Sequence, residues 1–228
     1  MAIGALIKES GASSSDRRER YGLLLLAIMT AFVVQGIAHP GRWEQVVVAL
    51  LLGATLLLAG WASDIRPAVM RASTVVVVLV VGASIVEAIA GDIDGPASRF
   101  ANLLLVTLAP PVVVLGVVRS LRRRGQVSVQ AVLGVLSLYI LLGMFFALVY
   151  GALDRYAGPF FAENVAGNAS NCLYFSFTTL TTVGFGDLTS TTNLGHTLSS
   201  LEALTGQIYL VTVVSVLVSN LRRRGPAA

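Results

Sequence analysis

Polar residues fall in short blocks along the chain, and between them lie six long apolar runs. These cover approximately Tyr21–Ala38, Val46–Ala62, Ala72–Ala90, Phe100–Val118, Val127–Gly151 and Thr197–Leu221. A span needs about 20 predominantly apolar residues to cross a hydrocarbon core of ~30 Å. The first run exceeds the apolar region of a signal peptide, and no convincing cleavage site precedes the next run. The pattern predicts an all-α membrane protein with six transmembrane helices. His39-Pro40-Gly41 and Asp64-Ile65-Arg66-Pro67 read as turns between the first three spans, and Gly91–Pro96 as the next outer loop. Asp92 and Asp94 in that loop lack the further ligands that calcium needs. Pro110-Pro111 predicts a kink or break inside span four.

The segment between spans five and six departs from this plan. From Ala152 to about Gly195 it is too long for a turn and too apolar for a plain surface loop. Asn171–Thr181 has the length of one short helix, which at about 1.5 Å per residue crosses only part of the bilayer. That predicts a re-entrant helix. Irregular backbone following it at membrane depth must be buried in protein or line water.

Composition sharpens the membrane reading. The 228 residues are 55% hydrophobic and 12% charged, where a soluble domain carries about a quarter charged residues. Mean hydropathy is +0.80. Net charge is +4, but its placement argues against nucleic acid. With the N-terminus inside, the inner segments hold Lys8, Arg17, Arg18, Arg20, Arg66, Arg71, Arg119, Arg122, Arg123, Arg124, Arg222, Arg223 and Arg224. The outer segments hold only Arg42, Arg99 and Arg155. That bias places both termini in the cytosol. A single Lys among 16 basic residues points to a GC-rich genome, hence a bacterium. Cys172 stands alone, which excludes an intrachain disulfide.

The chemistry is concentrated in Thr178–Asp187, which reads TTLTTVGFGD. An ion crossing a membrane must exchange its hydration shell for oxygen ligands. Backbone carbonyls aimed at one axis supply them, but holding successive carbonyls on one side needs dihedrals that glycine tolerates best. Gly184 and Gly186 alternate with Val183 and Phe185, so the larger side chains can pack outward. Thr182 adds a hydroxyl at the inner end.

Thr182-Val-Gly-Phe-Gly-Asp187 resembles the selectivity filter of potassium channels, for which TVGYG is the reference form. The preceding Leu173–Thr182 resembles that family's pore helix, and the likeness extends over roughly residues 127–221. It implies a re-entrant pore helix and selectivity filter between helices 5 and 6. The chain then divides into a cytosolic tail (1–20), a four-helix domain (21–124), a pore domain (125–221) and a short cytosolic tail (222–228).

By the same resemblance, carbonyls of Thr182, Val183, Gly184 and Phe185, with the Thr182 hydroxyl, would hold K+. Gly186 would complete the outer mouth. Asp187 would brace the filter, with Thr178 and Tyr174 in support; Glu202, an ionisable residue inside span six, reads on its own account as a support that could pair with pore-helix hydroxyls. Gly206 matches the family's gating-hinge glycine, although close helix packing explains a small residue there equally well. Gln207, Leu210, Val214 and Val218 recur at helical spacing and are candidates for the inner pore lining, or for packing against span five. A filter needs a ring of four pore segments and the chain holds one, so a homotetramer follows. Departures from the family pattern are Phe185 for tyrosine, Thr178 where some relatives carry glutamate, Ser190 for proline and His196 for arginine. They bear on filter rigidity and predict ready inactivation.

Six spans with the pore last is the layout of voltage-gated channels, but Phe100–Val118 contains no basic residue. A steep intrinsic voltage sensor is therefore not expected. Arg122, Arg123 and Arg124, and Arg222, Arg223 and Arg224, read as topology anchors or contacts for anionic lipid. No nucleophile, base and orienter come together, so an enzyme is not expected, and no cofactor beyond permeant K+ ions. Three readings stand: a potassium-selective channel, a weakly selective monovalent cation channel, and a non-conducting membrane sensor or subunit.

Overall fold

The computed structural model describes residues 21–37, 44–62, 66–90, 104–105, 107–108, 111–112 and 129–222. Over these residues the fold is helical, in the order α1 (Tyr21–Ile37), α2 (Glu44–Ala62), α3 (Pro67–Ala90), α4 (Val129–Tyr156), α5 (Ala169–Leu180) and α6 (Asn193–Arg222). A 3₁₀ turn at Ala162–Asn164 lies between α4 and α5. Of the fourth apolar run, the described pairs 104–105, 107–108 and 111–112 are helical. The rest of that run with Pro110, the 1–20 tail, His39, the acidic loop at 91–96, Arg119–Arg124, Arg223 and Arg224 lie outside the described residues.

Helices α3, α4 and α6 each extend about a turn beyond their apolar runs. Helix α3 begins at Pro67, because proline at the first helical position gives up no hydrogen bond that a helix would make. The N–H groups of Val69 and Met70 both reach the Arg66 carbonyl, at 2.9 and 3.1 Å. Helix α4 continues past Gly151 to Tyr156 and takes Asp154 and Arg155 into its last turn. Helix α6 starts at Asn193, where Thr192 Oγ1 accepts the Gly195 N–H at 3.0 Å and satisfies an orphan donor. Its far end reaches Arg222, the last described residue. Its 30 residues make α6 about 45 Å long at 1.5 Å per residue.

Among the described residues, α3 and the Val132–Tyr156 part of α4 are long and apolar enough to cross a membrane. Helix α1 and the Val46–Ala62 part of α2 are shorter apolar helices. Burial runs along one stripe of each. Tyr21, Leu24, Ile28 and Ala31 of α1 share one core with Val48, Ala49, Leu52, Leu56 and Ala59 of α2. Leu23, Leu26, Met29, Val33 and Ile37 point out on the opposite side of α1. Helix α3 buries only the seam Val80, Ser84 and Ala88, and exposes Val75, Val78, Leu79, Val86 and Ile89. Helices apolar on both faces require an apolar medium outside the core.

Helix α1 packs antiparallel along one face of α5. The Ser170 hydroxyl donates to the Gly36 carbonyl at 2.8 Å, Gly36 sits against Leu173, and Phe32 meets Phe177 edge-on at 4.7 Å between ring centroids. On another side of α5, Phe175 packs edge-on against Tyr150, Phe160 and Phe161, at 5.1, 5.7 and 5.3 Å. These rings bury the outer half of α5 in a rigid aromatic cluster.

Candidate ion-conduction site

Helix α5 is defined at both ends by its own sequence. Asn168 Oδ1 accepts the Asn171 N–H at 2.8 Å and caps the helix. At the other end the Thr181 N–H still reaches Phe177 O at 3.1 Å, and the Thr182 N–H turns to Thr179 O at 2.9 Å. Two further N–H groups then converge on one oxygen. Val183 and Gly184 both donate to the Thr178 carbonyl, at 2.8 and 3.1 Å. Helix ends leave carbonyls without helical partners, and here such a carbonyl receives the chain that follows.

The backbone beyond α5 alternates in hand. Thr182, Gly184 and Gly186 have φ of +59°, +51° and +81°, and Val183 and Phe185 between them are not left-handed. Alternating right- and left-handed residues send successive N–H groups to one side of the chain and carbonyls to the other. The N–H groups of Val183 and Gly184 are on the side that faces Thr178. Glycine takes positive φ at no steric cost, but the β-branched Thr182 does not, and carries strain on the order of 1–3 kcal/mol. Its hydroxyl is held from α6, where Gln207 Nε2 donates to Thr182 Oγ1 at 2.9 Å.

Asp187 is held by Tyr174, whose hydroxyl donates to Asp187 Oδ2 at 2.8 Å. The Tyr174 ring lies parallel to that of Phe185, with centroids 6.2 Å apart and planes 3° from parallel. The Thr178 hydroxyl turns back to Phe175 O at 3.0 Å, so Thr178 meets the following backbone through its carbonyl. The segment after Asp187 is pinned by an antiparallel bridge between Phe161 and Ser190, with Ala162 N to Thr189 O and Thr191 N to Phe160 O both at 2.9 Å. His196 Nε2 lies 2.8 Å from the Ser190 carbonyl, to which it can only donate.

Behind α5 lies a buried polar node. Glu202 of α6 is fully buried; the Tyr150 hydroxyl reaches its Oε2 at 2.6 Å, and Ser176 Oγ lies 2.5 Å from its Oε1. Four positions later, a Cβ added at Gly206 would stand 2.2 Å from the Leu180 carbonyl oxygen. Close approach of α6 to the end of α5 thus accounts for glycine at 206 without a hinge. Gln207 and Leu210 are exposed on α6. Val214 and Val218 follow on the same helix, and their side chains lie outside the described residues.

Several contributors escape a motif-centred reading. Tyr139 OH reaches Leu180 O at 3.3 Å, and Tyr209 OH donates to Val135 O. Asp154 accepts the N–H of Phe160 at 2.8 Å and of Gly167 at 3.1 Å, which ties the α4–α5 connection together. The signal for α4 was its spacing: Tyr139, Gly143, Tyr150 and Asp154 fall on one helical face of an otherwise apolar run.

A protein-family model described as an ion channel matches residues 134–223, which covers nearly all of α4 and the whole of α5 and α6. The match supports an ion-channel domain. No curated protein shows a significant match to the chain. The channel-type domain and the apolar helices mark a membrane protein.

Proposed function

We propose that the chain forms a potassium-selective channel, conducting K+ passively across the cell membrane as a homotetramer with both termini cytosolic. The observation that carries this reading is the alternation of backbone hand over Thr182–Gly186, with the N–H groups of Val183 and Gly184 anchored on Thr178. It leaves the carbonyls of Thr182, Val183, Gly184 and Phe185 on one side, where four copies around an axis would replace an ion's hydration shell. The TVGFGD sequence and the ion-channel match over 134–223 support the same reading. So does the exposure on a single chain of Val183 and Phe185, at 55% and 70%, which neighbouring copies would cover. The C-terminal end of α5 adds a negative dipole end beside the inner mouth, which favours a cation there.

Asp187 braces the outer mouth through Tyr174, and Thr178 and Glu202 hold α5 in place. Gln207 and Leu210, followed by Val214 and Val218, line the inner cavity. The arginines at 122–124 and 222–224 meet anionic lipid at the cytosolic face. Purified protein in liposomes under separate potassium and sodium gradients tests the reading, with Gly184→Ala as control. Potassium flux well above sodium flux, lost in the variant, is expected. Equal fluxes would establish a weakly selective cation channel, and no flux a sensor or non-conducting subunit.

A further inference from the structure

The three oxygens around Ser176 cannot share one proton. Ser176 Oγ is 2.7 Å from the Gly143 carbonyl oxygen on α4 and 2.5 Å from Glu202 Oε1 on α6. A serine hydroxyl has one hydrogen, and a backbone carbonyl has none. If Glu202 were a carboxylate it would be an acceptor only. Ser176 could then serve one neighbour, and the other would be an oxygen pressed against an oxygen in a site without water access.

Two protons resolve the count. We propose that Glu202 is held as a neutral carboxylic acid that donates to Ser176 and so positions α5 between α4 and α6. Ser176 passes its own hydrogen to Gly143 O, and the Tyr150 hydroxyl donates to Glu202 Oε2 at 2.6 Å. Every donor in the series Tyr150, Glu202, Ser176 then has an acceptor, and the series ends on backbone. Full burial agrees with this state, because an ionised carboxyl requires a compensating charge. Its hydrogen-bond partners are two uncharged hydroxyls, Tyr150 from α4 and Ser176 from α5.

The placement makes Glu202 a positioning residue for the proposed filter. Ser176 is two residues from Thr178, whose carbonyl takes the N–H groups of Val183 and Gly184. A shift of α5 at Ser176 is therefore passed to the backbone that presents the carbonyls. This functional consequence rests on the channel reading, whereas the protonation state does not.

Infrared spectroscopy of the reconstituted protein at neutral pH, paired with potassium flux, tests both parts. The wild type should show a protonated-carboxyl C=O stretch that shifts in heavy water and disappears in Glu202→Gln. Glu202→Ala should lower flux by about tenfold, the scale of one buried hydrogen bond lost. Glu202→Gln should rescue most of it, since an amide can donate to Ser176 and accept from Tyr150. Ser176→Ala should weaken flux while the carboxyl band persists at a changed frequency. Absence of the band at neutral pH, or Glu202→Gln as impaired as Glu202→Ala, would overturn the proposal. If the wild type carries no flux, the channel reading fails, and the band alone still decides the state of Glu202.

Discussion

Gln207 on α6 donates its side-chain amide to the hydroxyl of Thr182, 25 positions away, at 2.9 Å. The contact joins the helix proposed to line the cavity to the strained residue at the inner end of the filter stretch. Gln207→Leu removes the donor and leaves Thr182 at positive φ with one restraint fewer. A loss of about 0.5–1.5 kcal/mol at the ion site proposed for Thr182 is expected, a two- to tenfold fall in the potassium-to-sodium flux ratio. Flux of the two ions through the same liposome preparation measures it.

Helix α6 meets α5 at Gly206, and the atom in the way of a larger residue is a backbone oxygen. Gly206→Ala should cost on the order of 1–3 kcal/mol, because the Leu180 carbonyl cannot rotate aside as a side chain can. Gly143→Ala meets the Phe177 ring at 2.6 Å, and a ring can yield. Thermal unfolding in detergent should therefore place Gly206→Ala below Gly143→Ala.

The Tyr174 hydroxyl is the side-chain partner of Asp187, and the Tyr174 ring stacks on Phe185. Tyr174→Phe keeps the stack and removes the hydrogen bond. Current decay under sustained potassium efflux should accelerate severalfold, on the scale of one hydrogen bond to a charged group. Planar-bilayer recording checks this, and an unchanged decay rate would remove Tyr174 from the filter's support.

Asp154 holds both ends of the connection that leads into α5, through Phe160 N and Gly167 N. Asp154→Ala strands two N–H donors and should cost about 2–4 kcal/mol. Asp154→Asn retains one acceptor oxygen and should fall between. Limited proteolysis in the 157–168 segment reports the difference.

The sequence carried the parts of this fold that depend on neighbours in the chain. Apolar runs located five of the helices to within about five residues, because each run is a property of consecutive positions. The glycines at 184 and 186 announced a left-handed alternation, although Thr182 joins it against its own steric preference. Contacts across helices were less legible. That Glu202 seeks a hydroxyl of α5 follows from its being an ionisable group in an apolar helix, but Ser176 as the hydroxyl, and Tyr150 as the second, depend on rotations of α4 and α6 that no local pattern states. At Gly206 the sequence is equally consistent with bending and with packing, and the Leu180 carbonyl that crowds it belongs to another helix and has no local signal. Asp187 likewise finds its partner one helical turn from Thr178, at Tyr174.

The antiparallel contact of α1 with α5 has a mechanical consequence. Gly36 is moored to the first turn of α5 through Ser170, and Phe32 to the last through Phe177. The two moorings span almost the whole length of the short helix, so α1 acts on it as a splint. Any tilt of α1 must carry α5 with it or break the Ser170–Gly36 bond. Helix α1 thereby holds a direct grip on the element that presents Thr178 to Val183 and Gly184.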